Sequence, residues 1–302
     1  MKSGEASRTA EYNALFRALE SARAPHRRLI EDRLARHFLR PPFRGLAGLL
    51  CAAGLGGAIA RFIDYYQPGV RPSVVARTRL IDDHLRAALD QGIAQVVILG
   101  AGFDTRAYRL AGMERAAVFE VDHPNTGAVK QARIRAALGA PPAHVRYVAV
   151  DFSRDSLPEA LARAGFDPAR RCFFIWEGVS NYLSETAVDA MLRFLGRAPA
   201  GSRVVFTYVH RDILDRPQRF AGGTRLHRRL KRLEERLTFG LDPADTPRYL
   251  AERGLRLIED VGSVDYRARL LGARGRLLRG HEFYRVALAE VGAAEAANPR
   301  AA

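Results

Sequence analysis

The stretch Val96-Val97-Ile98-Leu99-Gly100-Ala101-Gly102-Phe103-Asp104-Thr105-Arg106 runs from an apolar strand pattern through a glycine turn into a helix. A near-continuous apolar run is typical of a parallel strand that is covered on both faces. Gly100 and Gly102 follow this strand directly, and glycine lets the backbone approach a nucleotide closely at that position. The stretch therefore predicts an α/β fold with a cofactor loop, although a GxG turn alone also occurs where a chain merely turns tightly.

Strand patterns and helical patterns alternate along the following part of the chain, which favours a mostly parallel seven-stranded sheet with helices on both faces. The predicted strands cover residues 95–99, 117–121, 145–150, 172–176 and 203–208, with 255–261 and 282–288 as closing strands. Upstream, a helical pattern runs from Thr9 to Leu39, where Pro41 and Pro42 end it, and a second helix is predicted from Ser73 to Leu89.

We predict one domain over residues 1–302. It would comprise an N-terminal helical cap (1–92), a cofactor-binding core (93–210), a charged helical insertion or lid (211–247) and the closing strands of the core (248–302). The apolar segment 45–60 is too short to span a bilayer comfortably, so it is predicted to be a buried helix or hairpin.

The net charge of +15 comes almost wholly from arginine, and the arginines are scattered along the chain. A nucleic-acid-binding surface usually concentrates its charge, so we do not expect a nucleic-acid partner. The densest basic stretch, 225–236, also carries Glu234 and Glu235 and is typical of a solvated helix face. Cys51 and Cys172 have neither metal-ligand nor disulfide spacing, so no metal is expected. The first residues lack an apolar signal region, which favours a cytoplasmic protein without a membrane segment.

Acidic residues end the second predicted strand about twenty residues after the glycine loop, the separation at which a carboxylate reaches ribose hydroxyls. Asp122 and Glu120 face the same side of this strand and compete for that role. Thr105 stands where a dinucleotide fingerprint has its third glycine, which argues against a pyrophosphate on the helix N-terminus. The pattern therefore favours S-adenosylmethionine over NAD.

The third and fourth strands also end in acidic residues. Asp151 and Phe152 offer a carboxylate and a ring to an adenine, although Asp151 could instead cap a helix with Asp155. Glu177 ends the fourth strand before a glycine and suits the sulfonium centre or the amino acid end of the cofactor.

These motifs together resemble the leucine carboxyl methyltransferase family, especially its bacterial branch of S-adenosylmethionine-dependent O-methyltransferases. The resemblance covers nearly the whole chain. Its motifs are SRTAEYNALFRALES (7–21), ARTR (76–79) with IDD (81–83), LGAGFDTRAYRL (99–110), FEVDHP (119–124), VDF (150–152), WEGVSNYL (176–183) and FGLDPADTPRYLAERG (239–254). It implies a Rossmann-like class I methyltransferase fold.

The resemblance also implies residue roles. Arg77 would pair with the cofactor carboxylate, where the residue alone indicates only a helix-surface charge. Gly100 and Gly102 would line the methionine portion, Asp122 would hold the ribose, Asp151 and Phe152 would hold the adenine, and Glu177 would complete the pocket. Arg106 and Arg109 could be ion-pair partners or lie at the mouth of the site.

Methyl transfer is an in-line displacement, so much of catalysis can come from positioning the two reactants. A carboxylate acceptor needs no base, whereas a hydroxyl acceptor benefits from one. Tyr182, His123 and His210 are the catalytic candidates, each with a structural alternative. We expect a small-molecule acceptor selected by the N-terminal helices and the 211–247 insertion. An NAD-dependent oxidoreductase, an RNA-binding or RNA-modifying methyltransferase, and a regulatory protein that binds the cofactor without turnover remain alternatives.

Overall fold

A computed structural model describes residues 8–40, 45, 56–67, 69–152, 154–232 and 236–292. Its seven strands form one sheet. The strands are β1 (Gln95–Leu99), β2 (Ala117–Asp122), β3 (Val145–Ala149), β4 (Phe173–Trp176), β5 (Arg203–Val209), β6 (Leu255–Gly262) and β7 (Tyr284–Val291).

The sheet has the strand order β3-β2-β1-β4-β5-β7-β6. Strands β1 to β5 are parallel to their neighbours, and β7 runs antiparallel to both β5 and β6. From β1 the chain first adds strands on one side of the sheet, β2 and β3, and then continues on the other side with β4 and β5, so the topological switch point lies between β1 and β4. In such sheets ligands bind at the carboxyl ends of the strands beside this switch point. The mostly parallel seven-stranded α/β prediction is confirmed.

Helices cover both faces of the sheet. Within the described residues they are α1 (Arg8–Ser21), α2 (Gly56–Tyr66), α3 (Val70–Asp90), α4 (Arg106–Arg109), α5 (Pro124–Leu138), α6 (Leu157–Arg163), α7 (Glu185–Leu195), α8 (Asp212–Asp215), α9 (Gly223–Arg232), α10 (Thr246–Ala251), α11 (Ser263–Leu271) and α12 (Ala273–Leu277). Short 3-10 turns occupy 25–27, 35–38, 113–115, 180–182 and 217–219.

Alternate residues of each strand enter two hydrophobic layers. On one face Val97 and Leu99 of β1 pack with apolar side chains of α6 and α7. On the other face Val96 and Ile98 pack with α3, which contributes Ile81 among others. This two-sided burial explains the continuous apolar sequences of β1 and β4, whose residues are all buried, whereas β3 at the edge of the sheet includes exposed residues.

The prediction of one continuous helical pattern from Thr9 to Leu39 is wrong. Helix α1 ends at Ser21, and Ala24 adopts an extended conformation with φ −54° and ψ 142°. Pro25 explains the break, because its ring clashes with a helical carbonyl four residues earlier and disfavours a helical preceding residue. Two short 3-10 turns follow among the described residues, at Pro25–Arg27 and Ala35–Phe38.

The second helix and most strands lie where the sequence predicted them. Helix α3 spans Val70–Asp90 around the predicted 73–89, whereas β7 begins at Tyr284, two residues after the predicted start. Glu282 instead accepts the backbone N–H groups of Gly280 and Ala221, which keeps it in a turn. Residues 46–55, with Cys51, and Glu234 and Glu235 lie outside the described residues. Among those described, no helix is both long and apolar enough to cross a bilayer.

Candidate cofactor site and acceptor cleft

Four neighbouring strand ends carry the predicted site residues. Asp151 follows β3, Asp122 ends β2, Gly100 follows β1 and Glu177 follows β4. Because these strands are adjacent and parallel in the order β3-β2-β1-β4, the four residues line one edge of the sheet in that order. The edge includes the switch point between β1 and β4, where the topology predicts a ligand.

The glycine turn after β1 depends on conformations that other residues rarely adopt. Gly100 has φ +65° and Gly102 has φ +42°. A Cβ atom on Gly100 would lie 2.5 Å from Cγ2 of Val179, so the turn leaves no space for a side chain there. Gly100 thus brings the turn after β1 against the loop after β4, and it leaves a backbone surface that a ligand can approach closely.

Asp122 faces this turn. Its carboxylate accepts the backbone N–H of Gly102 and, at 2.7 Å, the backbone N–H of His123. Burial raises the pKa of Asp122, although these two N–H groups oppose the shift. The carboxylate is therefore held beside the glycine turn, where the prediction places a ribose.

Glu120 lies deeper than Asp122, with only 3% of its surface exposed. Its carboxylate lies 2.9 Å from Nζ of Lys130 and accepts the Tyr108 hydroxyl at 2.8 Å. Both acids line a small cavity between β2, β3 and α5. Because Asp122 is only half-buried whereas Glu120 is buried and paired with Lys130, we retain Asp122 as the better candidate for the ribose.

Glu177 lies between two arginines. It accepts Nε of Arg77 at 2.7 Å and Nη1 of Arg106 at 2.8 Å. Burial by itself would raise the pKa of Glu177, but the guanidinium groups of Arg106 and Arg77 outweigh it and hold that pKa below its usual value. Glu177 is thus an anchored carboxylate at the switch point.

Arg106 and Arg109 each form ion pairs with acidic residues, which is one of the two roles left open from the sequence. Arg106 donates to Asp82 at 2.8 Å and also contacts Asp104, and Arg109 donates to Asp82 at 2.7 Å. These pairs and those of Glu177 form one buried cluster, here called the arginine network and defined as Arg77, Asp82, Asp104, Arg106, Arg109 and Glu177. The network connects α3 to the turns after β1 and β4.

The end of β3 is more open. The backbone N–H of Asp151 donates to Oδ2 of Asp155 at 2.8 Å, and the backbone N–H of Asp155 donates back to the Asp151 carbonyl, so the two residues close a local turn. Half of the surface of Phe152 is exposed, at 50%. The ring is thus accessible to a ligand, and the predicted adenine contact stays a prediction.

Two of the three catalytic candidates have evident structural contacts. The ring of His123 accepts the backbone N–H of Asn125 at 3.3 Å, at the start of α5. The ring of His210 accepts the backbone N–H of Asp212 at 3.1 Å, at the start of α8. Tyr182 lines the cleft described next.

A cleft, here called the acceptor cleft, opens beside Glu177 between α1, α3, α9 and β7. Its described lining residues are Thr9, Tyr12, Asn13, Phe16, Gln67, Val70, Val74, Arg77, Gly178, Tyr182, Leu226, Leu230, Leu237, His281 and Tyr284. The lining is mainly apolar and aromatic, and no acidic residue is among these described residues. Sequence reasoning missed His281 and Tyr284, because only the fold brings the start of β7 to this cleft.

A family model for the leucine carboxyl methyltransferases matches residues 10–196, more than half of the chain. The chain belongs to the leucine carboxyl methyltransferase family. The matched region contains α3, the glycine turn and the ends of β1 to β4, so it includes every predicted cofactor-site residue discussed above. This assignment confirms the resemblance found in the sequence.

Relatives in this family are named as S-adenosyl-L-methionine-dependent methyltransferases, in agreement with the predicted cofactor. One from Mycolicibacterium paratuberculosis is 42% identical over 154 residues, which is 51% of this chain and 46% of that protein. One from Frankia alni is 39% identical over 201 residues, with 66% and 68% of the two chains covered. The chain spans about half the length of the first of these relatives.

Two crystal structures share the fold. A protein from Thermobifida fusca described as a methyltransferase has a TM-score of 0.57 at 18% identity, over 92% of this chain and 94% of that one. A DUF574 family protein from Streptomyces avermitilis has a TM-score of 0.56 at 16% identity, over 95% and 98%. At these identities the likeness concerns the fold, which is that of the class I methyltransferases.

Proposed function

We propose that this protein is an S-adenosylmethionine-dependent O-methyltransferase that acts on a carboxylate or hydroxyl group of a small molecule. The observation that carries the proposal is the arrangement at the sheet edge. A glycine turn without space for a side chain lies between Asp122 on one side and the Arg77–Glu177 pair on the other.

The residues at this edge fit the groups of the cofactor. Asp122 offers an acceptor for the ribose hydroxyls, and Phe152 offers an exposed ring for the adenine. Arg77 and Glu177 offer opposite charges for the carboxylate and the ammonium group of the methionine portion. Arg106 also keeps one buried nitrogen, Nη2, for which no hydrogen-bond partner is found among the described residues. Buried polar groups are rarely left unpaired, so this nitrogen favours a ligand acceptor nearby.

When bound, the cofactor supplies an electrophilic methyl group on a sulfonium. The protein's own task is then to hold the acceptor oxygen in line with that methyl group and to exclude water. The acceptor cleft suits this task, because Arg77 and Gly178 border both the cleft and Glu177. We assign acceptor selection to the cap (1–92) and to the insertion (211–247), since α1, α3 and α9 supply most of the cleft lining.

Calorimetric titration tests the proposal with S-adenosylmethionine and S-adenosylhomocysteine, and with NAD as the competing cofactor. We expect saturable binding of the first two and none of NAD. Asp122→Ala should weaken binding roughly tenfold or more, since a hydrogen bond to a charged group is worth about 1.5–3 kcal/mol.

Asp83→Ala is the matched control, because Asp83 lies on α3 and pairs at the surface with Arg79 and Arg86. It should bind both ligands like the unchanged protein. Folded protein that binds neither ligand, or binds NAD instead, would refute the proposed function. Equal weakening by both substitutions would refute the role of Asp122.

A further inference from the structure

The lining of the acceptor cleft restricts the chemistry of its occupant. Leucine, valine, phenylalanine and tyrosine side chains form most of its walls, and Arg77 is the cation at its inner end. Among the described lining residues no carboxylate is present to pair with a positively charged acceptor. Such a cleft favours a planar, apolar molecule that is neutral or anionic.

His281 is the unusual residue of this cleft. Its φ of +59° makes it the one residue other than glycine with positive φ among those described. Left-handed backbone is unfavourable for a side chain that carries a Cβ, and such strain is often retained at functional sites. Gly280, directly before it, also has a positive φ, of +98°. Glycine would suit the backbone conformation at position 281 better than histidine does, because glycine has no Cβ.

The surrounding structure holds His281 in this conformation. Its carbonyl accepts the Ser263 hydroxyl at 2.6 Å and the backbone N–H of Tyr284 at 3.0 Å. Its ring stacks on the Tyr284 ring, with 5.3 Å between centroids and 20° between planes. The imidazole therefore has a defined position in the cleft.

Tyr284 links this position to the cofactor side of the site. The guanidinium carbon of Arg77 lies 5.4 Å from the centre of the Tyr284 ring, and Arg77 binds Glu177. The Tyr284 ring thus lies between the His281 imidazole and Arg77 of the arginine network. An acceptor that fills the cleft toward Glu177 would pass beside the imidazole.

We propose that His281 is the proton acceptor for a phenolic hydroxyl on a planar apolar acceptor. This assignment rests on the proposed methyltransferase function and narrows it from a carboxylate or hydroxyl to a phenol. As the phenolic O–H bond breaks, its proton passes to the neutral imidazole. The oxygen forms its new bond to the methyl carbon with its own electron pair, while the electrons of the S–CH₃ bond stay on sulfur and leave a neutral thioether.

The charged and titratable groups around His281 are consistent with this role. Tyr12, Tyr182 and Tyr284 share the cleft with it, and Arg77 is the cation among the described lining residues. The carboxylate of the adjacent Glu282 accepts the backbone N–H groups of Gly280 and Ala221. From α11, Arg267 donates to the carbonyl of Gly280 at 2.7 Å. Among these described groups the imidazole is the best base at neutral pH, because tyrosine is protonated there and arginine remains charged.

The test measures the ionisation of a bound phenol without turnover. The probe is 4-nitrophenol, whose phenolate absorbs visible light, titrated into protein saturated with S-adenosylhomocysteine over a range of pH. We expect the unchanged protein to lower the pH midpoint of ionisation of the bound phenol by about one unit, a tenfold shift in the equilibrium. His281→Asn should remove this shift, because asparagine tolerates the left-handed conformation but accepts no proton at these pH values.

Two further variants separate chemistry from folding. His26→Asn changes an exposed histidine in the 3-10 turn at 25–27 and should retain the full shift. His281→Gly should lose the shift without lowering the unfolding temperature, because glycine relieves the backbone strain. Both His281 variants should bind S-adenosylhomocysteine within about twofold of the unchanged protein, since neither touches the residues assigned to it.

The outcomes distinguish the two proposals. Absence of S-adenosylhomocysteine binding in the folded protein would overturn the proposed function. If S-adenosylhomocysteine binds but the phenol stays neutral, or ionises equally in His281→Asn, the assignment of His281 is overturned and the methyltransferase proposal stands. Binding of 4-nitrobenzoate in preference to 4-nitrophenol would equally overturn the choice of a phenol over a carboxylate.

Discussion

The predicted site runs along the carboxyl ends of four adjacent strands, and the two outer ones, β3 and β4, differ in how strongly their last residues are bound by the rest of the protein. At the end of β4, Glu177 is clamped by Arg77 and Arg106, which are themselves buried. At the end of β3, Phe152 is half exposed, and its neighbour Asp151 belongs to a local turn with Asp155. One end is thus part of the protein's interior, whereas the other lies at its surface.

This difference separates two ways of preparing a binding site. The β4 end is preorganised, since breaking a buried ion pair leaves an uncompensated charge in a poorly solvated place. Substitutions there should reduce folding stability as well as ligand binding. The β3 end contributes little to folding, so substitutions there should reduce ligand binding alone.

Asp82→Asn should have the largest effect on stability. Asp82 is buried and accepts hydrogen bonds from both Arg106 and Arg109, so the amide leaves these two cations poorly neutralised. Breaking a buried pair costs about 3–5 kcal/mol, and we expect that loss in the free energy of unfolding measured with urea.

The neighbouring Asp83 is the matched control for this prediction. It pairs with Arg79 and Arg86 on the exposed side of α3, where an ion pair is worth about 1 kcal/mol or less. A similar loss of stability in Asp82→Asn and Asp83→Asn would show that the arginine network is not the stabilising interior described above.

Acid should weaken the arginine network through Asp104, which lies in the turn after β1 and contacts Arg106. Burial alone would raise the pKa of Asp104, but Arg106 and Lys130 lower it from 3.8 to about 2. A depressed folded-state pKa stabilises the protein fully above the unfolded value, and this stabilisation is lost as pH falls from about 5 through the folded value. The shift corresponds to about 2 kcal/mol.

The matching measurement is the free energy of unfolding in urea between pH 6 and pH 2, for the unchanged protein and for Asp104→Asn. Asp122 has a pKa that burial raises, so its contribution changes with pH in the opposite direction and is common to both proteins. The unchanged protein should lose about 2 kcal/mol more than the variant across this range. Parallel curves would contradict the assigned role of Asp104.

The fold was predictable because its signals are local. Continuous apolar runs mark the buried strands, and the glycine turn with Asp122 about twenty residues later indicates a nucleotide-type site. The helix boundary at Ser21 was missed because the apolar spacing continues past Pro25. Pro25 itself indicates the break, because the residue before a proline disfavours the helical conformation.

The arginine network and His281 could not be predicted in the same way. The sequence shows Arg106 two residues after Asp104, but the pairing of Arg106 with Asp82 and Glu177 depends on how α3 packs beside the sheet. The positive φ of His281 is a property of the folded turn, and only the preceding glycine hints at it. Interactions between distant segments therefore limit what the residues alone reveal.

Phe152→Leu should have the smallest effect and should test the exposed end of the comparison. Half of this side chain contacts solvent, so the free energy of unfolding should change little. If the ring packs on the adenine, its loss should cost about 1 kcal/mol, a roughly fivefold weaker affinity for S-adenosylhomocysteine in calorimetry. The same factor should be seen with 5′-methylthioadenosine, which lacks the amino acid end, because Phe152 and Glu177 would contact opposite ends of the ligand.

Phe62→Leu, at another exposed ring with 62% of its surface accessible, should change neither affinity. An unchanged affinity in Phe152→Leu would contradict the predicted contact between adenine and the β3 end. A loss seen with S-adenosylhomocysteine but not with 5′-methylthioadenosine would place the ring at the amino acid end instead, which would reverse the polarity assigned to the site.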